Sequence, residues 1–592
     1  MKKRILATVF IAICFFANNS VFALTYYVSL TGNNSNNGLS EATSWRTIGF
    51  AASAASSVTA GDTVFIKAGD YGIDDVFIEK NYSNTDARIS FIGFQNTPGD
   101  ITDFPFSYGD EVDASVMPLI NPGDRTIGEG INLSDSYSIT IKNIQIGNSL
   151  AAISIWNTTS IESNHVLENI FIKDIGDDYS TALGITRANG NTVKNCLIVN
   201  ATGAGMDIWG DNNLIENCQV YSNESEPTPG GTYTSMDYYI VLKGNSNIVR
   251  NCYIERDGNL EDVGHGMEIK ESGENNLFVD CIAKNMIGGC FSVRWSEVQH
   301  NEFRNCKAIG SLEDVCAFLI RDGASYNVFN SCTSEGCPAG VRFLLSGEDE
   351  DYCGEHNTFN NCIIKNADWV FDLNSWYYSS ATVDSNLFAN CVIDSASYLF
   401  NCERPNSGNK LVNCIITNVD TFLIGDDPSS FEFLYCDFYN NGFDMLSGTG
   451  NIEADPLFAN ASNGDYHIPK ESPCVDTATA TDAPDTDFEG TIRPQGNAYD
   501  MGAYEYSDLT VIPKIINQKN LLYPNPANDY FTVNNSEKVL KIIIYNQTGQ
   551  KVFENKGFNN KINVSGLSDG IYYVVLQTNT NRINRKLIIE GN

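Results

Sequence analysis

"NLFVDC" at residues 276–281 and "NEFRNC" at 301–306 share one frame, Asn-x-apolar-x-Asn/Asp-Cys, and that frame recurs through the middle of the chain. Copies end at Cys196, Cys218, Cys252, Cys281, Cys306, Cys332, Cys362, Cys391 and Cys414, and "FEFLYC" at Cys436 is a degenerate last copy. The cysteines are 22 to 34 residues apart. A firm minimum with variable excess predicts a coil of short strands joined by loops that tolerate insertion. Each hexamer reads as a strand with alternating apolar positions followed by a turn. A second short strand precedes it: "GMDIW", "YIVLK", "GMEIK", "FSVRW" or "FLIRD". Strands this short bury a face only when coils stack, with equivalent residues about 4.8 Å apart. The cysteines then form an internal column of small buried thiols, and the asparagines bond along the stack. Seventeen cysteines also admit a disulfide framework, for which Cys290, Cys316, Cys337 and Cys353, off the column, are the places to look.

Composition bounds the partners. A formal charge of −36 spread over 592 residues argues against nucleic acid or an anionic membrane. A hydrophobic content of 42% allows a large core, and the many Asn, Gly, Ser and Thr residues suit a β-rich fold with frequent turns. Met1-Lys2-Lys3-Arg4, the apolar run Ile5 to Phe16 and the small-residue end Val21-Phe22-Ala23 read as a signal peptide cleaved after Ala23. The apolar run is short for spanning a bilayer. The mature protein is therefore expected to be exported, soluble and monomeric.

The repeat resembles the right-handed parallel β-helix of pectate-lyase-like secreted proteins. "TYYVSLTGNNSNNGLSEATSWRTIGFAASAA" with "AGDTVFIKAGDY" resembles the opening of that superfamily, which implies a first strand, an amphipathic capping helix and a first coil. "DPLFANASNGDYHIPKESPCVD" and "RPQGNAYDMGAYEY" resemble its closing segment, so the likeness covers residues 25–506. Beyond Tyr506, "SDLTVIPKIINQKN" reads as a linker. The module after it resembles the C-terminal sorting domain of the Bacteroidetes type IX secretion system, on Pro524-Asn525-Pro526, Gly570-Ile571-Tyr572 and Lys586-Leu587-Ile588. The implied organisation is all-β: a signal peptide over 1–23, a β-helix catalytic domain over 24–506, a linker over 507–519 and a small β-sandwich sorting domain over 520–592. The resemblance also implies the type IX machinery as a partner, and release or attachment at the cell surface.

The strands before the hexamers carry the candidate site. Their last outward position reads Arg187, Trp209, Lys243, Lys270, Arg294, Arg321 and then apolar Leu345. Two positions earlier on the same face come Asp207, Val241, Glu268, Ser292 and Leu319. Four successive coils thus present Lys, Lys, Arg, Arg in one column. Stacked like charges need a counter-charge, which an anionic polysaccharide or oligosaccharide lying along the axis supplies. The alternative is pairing with Asp207, Glu268 or loop carboxylates. Long loops at 221–237, 255–265 and 346–356 flank this region and bring Tyr238, Tyr239 and His265 to it.

Lys270 and Arg294, in "EIKESGEN" and "SVRW", resemble the catalytic Lys and Arg on adjacent coils of the polysaccharide lyase family that includes chondroitinase B and alginate lyases. The resemblance implies Lys270 as the base for the C5 proton of a uronate and Arg294 as stabiliser of the carboxylate-derived anion. The family's His beside the Arg is replaced by Trp295. Glu268 falls where that family places a calcium-binding carboxylate; a full ligand set is not assembled, so calcium is allowed while metal ligands stay unassigned. Elimination needs the carboxylate neutralised and a base of lowered pKa, and Lys243 and Arg294 on either side of Lys270 supply that pull. His265 or Tyr239 stands as base or as acid to the leaving group. Lys243, Arg321, Glu268, Trp209, Arg187, Trp295, Tyr238 and Asp207 are expected to bind substrate. A sugar leaving group makes a lyase, and water at a chain end makes a dehydratase, on a substrate such as ulvan or alginate. Two rivals stand beside this reading. One is a β-helix glycoside hydrolase using Asp207, Asp262 and Glu268, since "GHG" at 264–266 is similar to polygalacturonases although their other motifs are not found in order. The other is a non-catalytic, glycan-binding adhesin.

Overall fold

The computed structural model describes residues 23–74, 76–78, 87–176, 179–223, 235–258, 264–346, 352–373, 381–425 and 431–507, together with the strands between 522 and 589. The expected signal peptide up to Phe22, Asp262, most of the expected linker and Pro524-Asn525-Pro526 lie outside the described residues.

Each coil holds three strands rather than two. Thr192–Lys194, Leu197–Ala201 and Ala204–Trp209 make one coil, and Leu214–Glu216, Gln219–Ser222 and Tyr238–Leu242 the next. The hexamer strands stack in parallel without slippage, Thr192 on Leu214, Ile248, Leu277, Glu302 and Val328 in turn. The result is a parallel β-solenoid of about twelve turns. The middle strand has its own parallel stack, as in Leu197 on Gln219 on Tyr253.

The hexamer encodes this geometry position by position. The residue before the cysteine is left-handed, with φ 54° at Asn195, 54° at Asn217, 54° at Asp280 and 51° at Asn305. Asn and Asp adopt that conformation at little cost, so each marks a corner of the coil. The first asparagine of each hexamer is buried and donates its side-chain amide to the next, from Asn191 through Asn213, Asn247, Asn276 and Asn301 to Asn327, at 2.9–3.1 Å. The third position stacks Phe278, Phe303, Phe329 and Phe359 with ring centres 4.5–5.1 Å apart. The sixth places the thiol in the core, where Cys306 Sγ donates to the Phe278 carbonyl of the coil below at 3.6 Å. All sixteen described cysteines are free and buried, including Cys290, Cys316, Cys337 and Cys353, so the disulfide framework does not form.

The first strand, Thr25–Val28, pairs with Thr63–Lys67, and a short helix, Ile48–Ala52, turns Ile48, Ala51 and Ala52 into the core. Thr47 caps that helix by accepting from the Phe50 amide. The chain divides into two compact units, Met1–Glu505 and Tyr506–Asn592. In the second, a three-stranded and a four-stranded antiparallel sheet share one core that includes Phe531, Ile544, Val574 and Leu587, which makes it a small β-sandwich.

Candidate active site

Strand pairing sets the outward columns. Asp207, Val241, Glu268, Ser292 and Leu319 occupy one register on successive coils. Two residues further along each strand, Trp209, Lys243, Lys270, Arg294 and Arg321 form the next outward column, and Arg294 pairs directly with Arg321. Both ends of the expected column shift by one residue. Trp209 pairs with Thr186 rather than Arg187, because Arg187 is left-handed at φ 53° where the register slips. Arg187 is exposed and its guanidinium meets the Thr158 carbonyl at 3.5 Å instead. At the other end Arg321 pairs with Leu344, while Leu345 turns into the core and Arg342 stands opposite Leu319.

Three of the four cations are held by carboxylates. Lys243 Nζ is 2.9 Å from Asp207 Oδ2 and 4.3 Å from the centre of the Trp209 ring. Arg294 Nε and Arg321 Nε both donate to Asp322 Oδ2, at 2.8 and 3.2 Å. Asp322 is almost fully buried and its other oxygen accepts from the Ser346 amide at 2.6 Å. Lys270 is different: among the described residues it makes no ion pair. Its ammonium donates to the Tyr238 hydroxyl at 2.9 Å and lies 4.2 Å from that ring centre and 5.2 Å from the centre of Trp295. Burial lowers the Lys270 pKa; the Glu268 charge opposes this, while Lys243 and Arg294 lower it further.

The residue after each of three cations is left-handed: Glu271 at φ 60°, Trp295 at 82° and Asp322 at 52°. This corner turns the side chain back over the column. Trp295 thereby reaches Lys270 as well as Arg294, whose guanidinium is 4.8 Å from its ring centre, and Asp322 reaches an arginine of the preceding coil. A bulky residue at positive φ is strained, and such strain collects at functional sites.

The strand start corrects the tyrosine assignment. Strict alternation outward from Lys243 and Val241 points to Tyr239, but Tyr239 is wholly buried in the central core beside Ile240. Tyr238 shares the outer face with Ala204 and Val241, and its ring stacks on His265 at 4.9 Å. His265 likewise shares the face of Glu268, three residues on, rather than that of the core-facing Met267. The chain turns at this corner of the coil, and parity slips by one. His265 Nδ1 is 3.0 Å from the Gly288 carbonyl and 3.1 Å from Glu268 Oε2, both acceptors, so it carries a proton. A Cβ at Gly288 would fall 2.5 Å from that nitrogen, so glycine is what lets the ring lie there.

Glu268 has no exposed surface and accepts from Ser292 Oγ at 2.8 Å, so it orients the groups around it and does not meet substrate directly. Burial opposes its ionisation, but the charge and hydrogen bond of His265, with Lys270 and Arg321, hold its carboxyl at about 2. Burial in turn pulls the His265 pKa down, and Glu268 overrides it to raise the value. Among the described residues calcium finds no seat here. A hard cation collects about six to eight oxygen ligands, whereas Glu268 is ringed by His265, Lys270 and Arg321, and Asp207 is taken by Lys243. Among the described residues no cluster of three metal-ligating side chains exists. Sequence reasoning missed Asp322, Ser346 and Gly288, and placed Ser292 on the site face without giving it a role. Asp322 had a signal, since it follows Arg321 directly in "FLIRDG", at a corner that favours Asp.

Residues 129–308 match the family model described as a right handed beta helix region, and residues 521–590 match the secretion system C-terminal sorting domain. The tail marks the chain for type IX secretion to the cell surface or extracellular space. Over 73 residues the chain is 42% identical to beta-agarase A of Zobellia galactanivorans, which is 12% of this chain and 13% of the agarase. Among solved structures it is similar to pectate lyase Pel9A, at 13% identity and a TM-score of 0.34 over 82% of this chain and 96% of the lyase. It is also similar to the catalytic domain of a GH87 alpha-1,3-glucanase, at 11% identity and a TM-score of 0.40 over 63% of each chain. Neither likeness carries a reaction to this chain.

Proposed function

We propose that the protein is a secreted carbohydrate-active β-helix enzyme that breaks a uronate-containing saccharide by β-elimination, with Lys270 as base and Arg294 as the group that neutralises the carboxylate. The observation that carries this reading is Lys270 itself. It is a buried lysine of lowered pKa, without an ion pair among the described residues, hydrogen-bonded to a phenol and set between Lys243 and Arg294. A lysine so placed reaches its neutral, basic form more readily than a solvated one.

The step balances with residues at hand. The Lys270 amine takes the C5 proton, the freed electron pair forms the C4–C5 double bond, and the C4–O bond breaks. The departing oxygen takes a proton from the Tyr238 phenol, which recovers one from the Lys270 ammonium along their 2.9 Å hydrogen bond. Burial and the Glu268 charge keep the Tyr238 pKa well above the ordinary tyrosine range, so the phenol holds its proton until then. Arg294 and Arg321, steadied by Asp322, face the uronate carboxylate and stabilise the enolate-like state. His265, whose Nδ1 proton faces the Gly288 carbonyl and Glu268, stacks on the Tyr238 ring and holds it in place. The same step serves a lyase, when a sugar leaves, and a dehydratase, when water leaves. Hydrolysis is the weaker reading, because Glu268 has no exposed surface and is engaged by His265, while Asp207 is engaged by Lys243.

The test is ultraviolet absorbance of a newly formed unsaturated uronate, with the full chain offered alginate, ulvan, pectin and glycosaminoglycans, as polymers and oligosaccharides. A rise that Lys270→Ala abolishes is expected. New reducing ends without that absorbance would transfer the chemistry to hydrolysis.

A further inference from the structure

The outward column does not begin with cations. Continued toward the N-terminus it reads Trp156, Thr186, Trp209, Lys243 and Lys270 on successive coils, since Trp156 pairs with Thr186 and Thr186 with Trp209. Both indoles are open to solvent, Trp156 at 47% and Trp209 at 45% exposure, unlike the fully buried Trp45 of the core. One face of Trp209 carries the Lys243 ammonium, 4.3 Å from its ring centre, and the two indoles are set two coils apart on one face, about 10 Å. Between them stands small Thr186, and the neighbouring column on that face holds Ser154 and Gly184, so the floor around the rings is low.

We infer that Trp156 and Trp209 are stacking subsites for the non-reacting residues of the saccharide chain, which lies along the solenoid axis with its reacting uronate over Lys270. The inference rests on reading this face as the saccharide site. It adds the direction of the chain and the length that the site measures. Strand spacing is about 4.8 Å, close to the advance of a pyranose chain per residue, so one coil meets one sugar. Trp156 lies four coils from Lys270, and a chain touching both therefore spans about five residues. The apolar C–H faces of sugars stack on the indoles, while carboxylates are met by Lys243, Lys270, Arg294 and Arg321. The strip thus has an aromatic end and a cationic end, and the non-reacting residues extend from Lys270 toward the aromatic end.

The experiment uses the full chain with oligomannuronates and oligogalacturonates of two to six residues. Turnover is read as kcat/KM on the active protein, and affinity by calorimetry on Lys270→Ala. For wild type, affinity and kcat/KM rise with length up to five residues and then level. Trp156→Ala removes the gain of the last residue, about tenfold or less, and leaves di- and trisaccharides unchanged. Trp209→Ala loses the gain from the trisaccharide onward, and Trp156→Phe restores most of what Trp156→Ala removes. A Trp156→Ala protein that weakens all lengths equally or none, or wild type with no length dependence, overturns the inference. Length-dependent binding without an unsaturated product would refute elimination and leave the subsites standing; elimination without length dependence would do the reverse.

Discussion

Lys270 donates to the Tyr238 hydroxyl at 2.9 Å across adjacent coils, and its ammonium lies 4.2 Å from the centre of the same ring. A phenol thus occupies the place that a carboxylate takes beside Lys243, Arg294 and Arg321. The consequence is an amine whose proton is less firmly held and a proton donor within its reach. Lys270→Met is expected to lower turnover by about a thousandfold or more, as removal of a general base does, without lowering the melting temperature. The sign follows from linkage. With the Lys270 pKa lowered on folding, the unfolded chain binds more protons between the two values, so this residue costs stability at neutral pH and the cost fades as pH rises. The pH–rate profile should rise on its acid side at a pH below the ordinary lysine range.

Tyr238→Phe and Tyr239→Phe separate the two neighbours. The first removes the Lys270 acceptor and the proposed proton donor, and should lower kcat by about a hundredfold with little change in KM. The second removes a hydroxyl buried in the core without a well-formed hydrogen bond. It should leave kcat unchanged and shift stability by no more than about 1 kcal/mol.

Asp322→Ala frees two arginines at once. Arg294 and Arg321 share its Oδ2; Arg294 loses its anchor, and Arg321 keeps only Ser346 Oγ, which Asp322 itself positions. We expect kcat/KM to fall by about ten- to a hundredfold, with Asp322→Asn intermediate because asparagine keeps the left-handed corner at φ 52° and one acceptor. An Asp322→Ala protein with unaltered kcat/KM would show that the arginines need no such anchor.

Acid should disarm the site through Glu268. Its folded value of about 2 lies below the ordinary 4.5, so it contributes stability that is present above 4.5 and is lost as pH falls toward 2. His265, raised above 6.5, contributes stability that is full below 6.5 and lost as pH climbs through its folded value. Glu268→Gln should flatten the acid side of the melting-temperature profile and shift the His265 ring resonances to titrate at lower pH, measurable by NMR.

Thiol chemistry offers a separate check on the core. Titration under denaturing conditions should find sixteen free thiols between Cys196 and Cys474, and a reductant should leave the melting temperature unchanged. A stability loss on reduction would reveal a bridge.

The coil was legible in one hexamer. An asparagine that bonds to its own equivalent, an aromatic that stacks on its own equivalent and a left-handed residue before a core thiol are all local demands, repeated until no other fold meets them. The cation column was legible in its middle, from Trp209 to Arg321, because the last residues of those strands keep an unbroken register. At Arg187 and Leu345 it was not, since a left-handed residue at one end and a shifted pairing at the other displace the face by one position.

The sequence by itself therefore determined the stacked parallel coil and the four stacked cations, which follow from repeat spacing and residue type, while the capped opening and the separate sandwich module were legible through their resemblance to known families. Tertiary structure alone decided that Tyr238 and not Tyr239 faces Lys270, that one carboxylate of Asp322 holds arginines from two coils, and that Glu268 lies beneath the site. Those facts depend on where each corner turns and which residue it consumes. Alternation along a strand carries no record of that count, and a single residue gained or lost at a corner exchanges inside for outside.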